Sequence, residues 1–252
     1  MPESIDLVSH PSPAPNETRD PRDRLIVALD VPSAAQAQNL VTAIGNAART
    51  FKVGKQLFTA EGPRVVRDLV ASGRRVFLDL KFHDIPNTVA GAVREAARLG
   101  ASMLTVHACG GRRMLEAAVE AARSSDRPPM VLAVTVLTSL REEDMEEIGV
   151  SGSLVSQALR MTALARNAGC GGVISSAREA RAIRTTLGSG FAIVTPGVRL
   201  AGETEDDQAR VVTPKDAIRA GATHIVVGRS ITAAKDPARV AERIVEEIGA
   251  AE

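Results

Sequence analysis

The run Leu78-Asp79-Leu80-Lys81-Phe82-His83-Asp84-Ile85-Pro86-Asn87-Thr88 sets two carboxylates around one lysine at the end of an apolar segment. In a strand, side chains alternate faces, so Asp79 and Lys81 project to one side while Leu78, Leu80 and Phe82 take the other. Asp84 follows where the chain turns. A lysine held between ionised carboxylates favours its ammonium form, and fixed negative charge beside it repels a substrate anion while the ammonium stabilises a developing carbanion. Removal of a carboxyl group uses both effects. Taken alone, an Asp-x-Lys pair reads as a rim ion pair. Lys52, in the apolar run Phe51-Lys52-Val53-Gly54, changes that reading, because Lys52, Asp79, Lys81 and Asp84 together form an alternating array whose charges hold one another ionised.

Other polar residues punctuate the ends of apolar runs in the same way: Asp30 after Leu25–Leu29, Thr138 and Ser139 after Val131–Val136, Pro196-Gly197-Val198-Arg199 after Phe191–Val194, and Gly228-Arg229 after His224–Val227. A Gly-Arg pair at a strand-to-helix junction offers backbone N–H groups and a guanidinium, which is phosphate-binding chemistry, and Arg199 can reach the same anion. A phosphate ester is the expected substrate class. Gln208 follows the acidic loop 203–207 and reads either as a solvated loop residue or as a gate over the ligand. His83 and His107 lack a triad partner and read as structural or loop histidines. Cys109 has no neighbouring base and reads as an inert thiol.

Elements must bring these residues together. From Arg24 onward, Val/Ile/Leu-rich runs alternate with Ala/Arg/Glu-rich segments of helical period. Eight strands are expected, at Leu25–Leu29, Phe51–Gly54, Arg75–Leu80, Met103–His107, Val131–Val136, Gly172–Ile174, Phe191–Val194 and His224–Val227, each nearly continuous in apolar character as for strands covered on both faces. Helices are expected near 33–47, 62–72, 87–98, 111–124, 153–168, 177–187, 214–220 and 236–248, with Ser33, Asn87 and Thr213 as starts and Gly73, Gly100, Gly169, Gly188 and Gly221 as stops. Eight such units predict a single-domain α/β (β/α)₈ TIM barrel over 23–252, whose strand ends converge on one mouth. A doubly wound sheet is the alternative, but no GxGxxG follows the first strand. Residues 1–22, with five prolines among acids and small polar residues, read as a flexible tail.

The 252 residues carry a net charge of +1, 44% hydrophobic residues, five Phe and no Trp or Tyr. Neither a basic footprint nor stacking platforms for nucleic acid are present, which points to a small-molecule partner. No apolar run reaches membrane-spanning length, and the N-terminus lacks a basic region leading an apolar stretch, so neither a membrane nor export is expected. Two distant cysteines without ligand spacing suggest reduced thiols in the cytoplasm and no metal site.

The chain resembles the orotidine 5′-phosphate decarboxylase family over about residues 24–248. The resemblance rests on seven motifs in order: Leu25-Ile26-Val27-Ala28-Leu29-Asp30, Phe51-Lys52-Val53-Gly54, Asp79 to Thr88, Val136-Leu137-Thr138-Ser139, Thr195-Pro196-Gly197-Val198-Arg199, Asp207-Gln208-Ala209-Arg210 and Val227-Gly228-Arg229-Ser230. It implies conversion of orotidine 5′-monophosphate to uridine 5′-monophosphate and carbon dioxide, the last step of UMP biosynthesis, without cofactor or metal. It further implies that Lys81 supplies the proton to C6, Asp79 presses on the substrate carboxylate, and Lys52 and Asp30 contact the ribose. Thr138 and Ser139 then meet the pyrimidine, and Gln208, Arg199, Gly228 and Arg229 clamp the phosphate, with loop closure around 200–210. The family is a homodimer, so Asp84, Ile85 and Thr88 are implied to complete the site of a second copy. A related magnesium-dependent phosphosugar decarboxylase or aldolase barrel shares the Asp-x-Lys-x-x-Asp strand but carries an acidic ligand on strand 2, where this chain has Lys52. A phospho-ligand-binding barrel without turnover is the non-enzyme alternative.

Overall fold

A computed structural model describes residues 20–201 and 212–251. Its strands are β1 (Leu25–Ala28), β2 (Thr50–Gly54), β3 (Arg75–Phe82), β4 (Met103–His107), β5 (Met130–Val134), β6 (Gly172–Ile174), β7 (Ala192–Thr195) and β8 (His224–Val227). They pair in parallel and in sequence order, and β8 returns to β1 to close the barrel. The expected (β/α)₈ architecture is the observed one.

Alternation along each strand sorts two cores. Phe51, Val53, Leu78 and Leu104 point outward into the layer shared with the helices, while Ile26, Ala28, Phe77, Met103, Leu132, Val194 and Val226 fill the barrel interior. That apolar plug forms a floor, so polar side chains one step further along the strands have nowhere to go but the mouth.

Helix starts follow from local chemistry. Ser33 Oγ accepts from Gln36 N–H and Thr213 Oγ1 from Asp216 N–H, each satisfying an otherwise unpaired first-turn donor. The expected start at Asn87 is corrected: the helix Pro86–Arg98 begins one residue earlier, because proline's fixed φ suits the first helical position and its missing N–H costs nothing there. The helix Ala177–Leu187 ends at Gly188, whose φ of 69° lies in the left-handed region. Three short helices were not foreseen: Lys55–Glu61, Glu142–Glu147 and Arg229–Thr232.

Two strands end at the mouth elsewhere than expected. β5 stops at Val134 rather than Val136, although Thr135 still donates from N and Oγ1 to the Ile174 carbonyl. β3 runs on to Phe82 instead of stopping at Leu80. At the opposite end of the barrel from the mouth, Pro21–Asp23 forms a 3₁₀ turn. Asp20 pairs with Arg22 and Arg49 at 2.7 and 2.8 Å, and Asp23 pairs with Arg49 and Arg75. Residues 20–22, expected in the tail, are therefore held to the barrel by charge; tail residues 1–19 lie outside the described residues.

Candidate active site

Four charged side chains, from β2, β3 and the residues just past β1, make one row at the mouth. Lys52, from β2, donates from Nζ to Asp30 Oδ1 at 2.8 Å and lies 3.8 Å from Asp79 Oδ2. Lys81 Nζ donates to the other Asp79 oxygen at 2.7 Å. The order is Asp30, Lys52, Asp79, Lys81, alternating in sign, as expected for three of the four members of the array. Register explains it: β1 sets Ala28 beside Lys52, and β2 sets Gly54 beside Asp79. Gly54 leaves the gap into which the Lys52–Asp30 pair fits.

Burial pushes the Asp79 carboxyl up, but the Lys81 and Lys52 ammoniums and the hydrogen bonds from Lys81 and Thr105 outweigh it, and the group is held below the usual carboxylate range. The balance is reasonable in size: two unit charges 4 Å apart attract by about 4 kcal/mol at an effective dielectric near 20, and Asp79 has two cationic neighbours. It is thus an anion fixed in a poorly hydrated place, with an ammonium on either side.

Lys81 reaches Asp79 by a route that simple alternation does not give. Its φ is 54°, the single non-glycine positive value among the described residues. The pairing of β3 with β4 jumps from Leu78↔Leu104 to Phe82↔Val106, so the segment carrying Asp79 and Lys81 bulges out of the ladder. A left-handed lysine costs on the order of 1–2 kcal/mol, and such strain gathers at functional sites when the surroundings over-determine it.

The row lines one wall of a cavity of about 500 Å³. Thr138, Pro196, Arg199, Gly228 and Arg229 are among the other residues that line it, with Phe77, Ile174 and Val226 from the barrel interior. Arg199 is buried, and its N–H donates to the Val212 carbonyl. Gly228 precedes the short helix Arg229–Thr232 and its carbonyl accepts from Ile231 and Thr232. Two guanidiniums from the segments that follow β7 and β8 thus share one cavity with the carboxylate–ammonium row. The space accepts a ligand with an anionic end and a polar body.

Not every expected residue joins this cavity. Ser139 sits exposed in the turn after Thr138 and does not line it. Asp84, Ile85 and Thr88 are exposed outside it; the Asp84 carboxylate accepts from Ile85 N–H, and Ile85 shows 67% of its surface. The same-chain array expected from residue spacing is corrected accordingly: Asp84 makes no ion pair with Lys81, because the chain turns outward after Phe82. Gln208 lies outside the described residues. His83 and His107 stack loosely at 5.4 Å, with Cys109 Sγ 4.0 Å from the His83 ring nitrogens. Burial, then His83 and Lys81, push the His107 imidazole down. Among the described residues, no three His, Cys, Asp or Glu side chains gather to hold a metal.

One participant went unremarked in the sequence. Thr105, fully buried in β4, donates to Asp79 Oδ1 at 3.0 Å. The signal was a lone hydroxyl inside the apolar run Met103-Leu104-Thr105-Val106.

Known proteins share this chain's sequence and its barrel. The family profile described as Orotidine 5′-phosphate decarboxylase / HUMPS family matches residues 23–244. An orotidine 5′-phosphate decarboxylase of Moorella thermoacetica is 52% identical over 233 residues, covering 90% of this chain and 92% of the relative. One from Halorhodospira halophila is 53% identical over 228 residues, covering 90% and 97%. Among solved structures, the orotidine 5′-phosphate decarboxylase of Lactobacillus acidophilus superposes with a TM-score of 0.81 at 36% identity, over 90% of this chain and 99% of that one.

Proposed function

The chain belongs to the orotidine 5′-phosphate decarboxylase / HUMPS family, and from that premise we propose that it converts orotidine 5′-monophosphate to uridine 5′-monophosphate and carbon dioxide. The observation that carries this reading is the row Asp30, Lys52, Asp79, Lys81, with an ammonium 2.7 Å from a mostly buried carboxylate on the wall of a cavity of about 500 Å³, large enough for a nucleotide.

The chemistry follows from what the reaction lacks. When the bond from pyrimidine C6 to its carboxyl group breaks, the electron pair stays on C6 in an orbital with no adjacent π sink. Enzymes remove roughly 8 to 23 kcal/mol from such barriers, and here most of that must come from charge already in place. Asp79, kept ionised, faces the substrate carboxylate and disfavours it in the ground state. The Lys81 ammonium faces the developing carbanion and stabilises it. Carbon dioxide then leaves, one Nζ proton passes to C6, and the neutral amine takes a proton back from water.

The rest of the cavity orients the substrate. Lys52 and Asp30 hold the ribose hydroxyls, Thr138 meets the base, and Pro196, Arg199, Gly228 and Arg229 receive the phosphate. In this reading Gln208 adds to that clamp and Ser139 to the base contact. Asp84, Ile85 and Thr88 complete the site of a second copy, which gives their exposure outside the chain's own cavity a purpose. The magnesium-dependent sugar-phosphate branch is disfavoured by one residue: the acid it needs on β2 is replaced by Lys52, whose ammonium stands between the two carboxylates that a cation would use.

The test is direct. Purified protein mixed with orotidine 5′-monophosphate in chelator is expected to bleach the ultraviolet absorbance of the pyrimidine, and Lys81→Ala to slow this by at least about 10²- to 10³-fold. Absence of any decline for the wild-type protein refutes the activity; a decline that needs added magnesium favours the sugar-phosphate branch chemistry.

A further inference from the structure

We infer that Thr105 is a positioning residue for this reaction, its hydroxyl fixing the Lys81 backbone and the Asp79 carboxylate relative to each other from the neighbouring strand. The inference rests on the reading of Lys81 and Asp79 given above.

Three residues of β3, Asp79, Leu80 and Lys81, occupy the interval between Leu78↔Leu104 and Phe82↔Val106, while β4 spends one residue there, Thr105. A parallel ladder cannot satisfy the backbone of so long an excursion, and a buried N–H without a partner is costly. Thr105 answers this with its side chain. Its Oγ1 accepts from Lys81 N–H at 2.9 Å and donates its own proton to Asp79 Oδ1 at 3.0 Å. That carboxylate oxygen is the one that accepts from Lys81 Nζ at 2.7 Å. A closed ring results, running from the lysine backbone through the threonine hydroxyl and the aspartate back to the lysine ammonium.

The ring does two things that neither strand does alone. It replaces the ladder contact that Lys81 gives up in adopting φ 54°, and it gives the carboxylate a second donor, so that Asp79 cannot rotate away from the ammonium. Thr105 does not line the cavity, so it acts through its two partners and not on the substrate. It is completely buried, and no solvent competes for its hydroxyl. Nothing in the apolar surroundings of β4 requires a hydroxyl at this place; valine has the same shape. The chemical reason for threonine is the pair of hydrogen bonds.

Steady-state kinetics and crystal structures of Thr105→Val and Thr105→Ser test this. Thr105→Val keeps the volume and removes both hydrogen bonds; kcat is expected to fall about 10- to 100-fold while KM changes little. Thr105→Ser restores the hydroxyl and is expected to recover most of kcat. In the Thr105→Val crystal, Lys81 is expected to leave the left-handed region or its Nζ to part from Asp79. If Thr105→Val does not fold, Thr105→Ala carries the same expectations. Wild-type kcat in the valine variant overturns the inference, as does a serine variant as slow as valine, which would assign the role to packing of the methyl group. The crystal arm decides even if the wild-type protein proves inactive on orotidine 5′-monophosphate: unchanged Lys81 and Asp79 geometry without the hydroxyl overturns the positioning role by itself.

Discussion

Gly54 leaves open the space that the Lys52 ammonium occupies: a Cβ at residue 54 would stand 3.0 Å from Lys52 Nζ and 3.1 Å from Asp30 Oδ1. The backbone there is ordinary, with φ −93°, so room and not conformational freedom is the reason for glycine. Gly54→Ala must push the ion pair aside by a few tenths of an ångström. Since a misplacement of about 1 Å can cost 10²-fold, we expect about a tenfold loss in kcat/KM, with the melting temperature little changed. A kinetically silent alanine variant would mean that Lys52 and Asp30 do not touch the substrate.

The phosphate end should matter to chemistry as well as to affinity. Arg199 and Arg229 line the same cavity as Lys81, and binding energy from a non-reacting group can be spent on orienting the reacting one. Orotidine, which lacks the phosphate, is expected to turn over with kcat/KM lowered by about 10²- to 10⁴-fold and with kcat itself reduced. Equal kcat for the two substrates would contradict a coupled site.

If Asp84 serves the site of a second copy, complementation follows. Lys81→Ala and Asp84→Ala are each expected to be nearly inactive, yet a mixture of the two, allowed to exchange subunits, forms hybrid dimers with one intact site, and about a quarter of wild-type activity should return. Ile85→Glu, which puts a charge on an apolar side chain left 67% exposed in the single chain, is expected to give a monomer by native mass spectrometry. No recovery on mixing would assign Asp84 to its own chain or to no site.

Acid sensitivity has a source far from the mouth. Burial, aided by Arg24 and Arg75, pushes the His224 imidazole from 6.5 down to about 4. The unfolded chain takes up a proton near 6.5 and the folded one resists until about 4, so the stability tied to neutral His224 is complete above 6.5 and is lost as pH falls through that window. Between pH 7 and 5 this amounts to about 2 kcal/mol. Asp79 acts in the same direction at lower pH, since its carboxyl is held below the usual range and its contribution disappears as pH falls through the folded value. His224→Asn, which can keep a hydrogen bond to Thr223 Oγ1, is expected to flatten the fall between pH 7 and 5 in urea unfolding. An unchanged slope would place the acid sensitivity elsewhere.

The barrel was legible because its signal is repeated: each strand is an apolar run that ends in a polar residue, and local pattern alone carries that. Lys52, Asp79 and Lys81 were legible as one array for the same reason, whereas Asp30 was legible as a residue of the mouth but not as the partner of Lys52. The shape of β3 near Lys81 was not. A bulge is a property of two strands in register, and the residue that sustains it, Thr105, lies in a run that reads as ordinary apolar strand. The outward turn after Phe82, which removes Asp84 from its own chain's cavity, is likewise invisible to spacing. Ser139 and Thr138 are neighbours of equal chemistry, and only the direction of the turn separates them. Pro86 displaced Asn87 as helix start because backbone geometry outranked capping preference there.

Because β8 hydrogen-bonds to β1, Asp30 and Arg229, far apart in sequence, follow touching staves. A polypeptide released early, anywhere before His224, has neither the closing stave nor the arginine, and it leaves β1 with a naked edge open to misassembly. Barrel closure and the arginine at its last junction therefore stand or fall together, and a chain cut before β8 is expected to lose both at once.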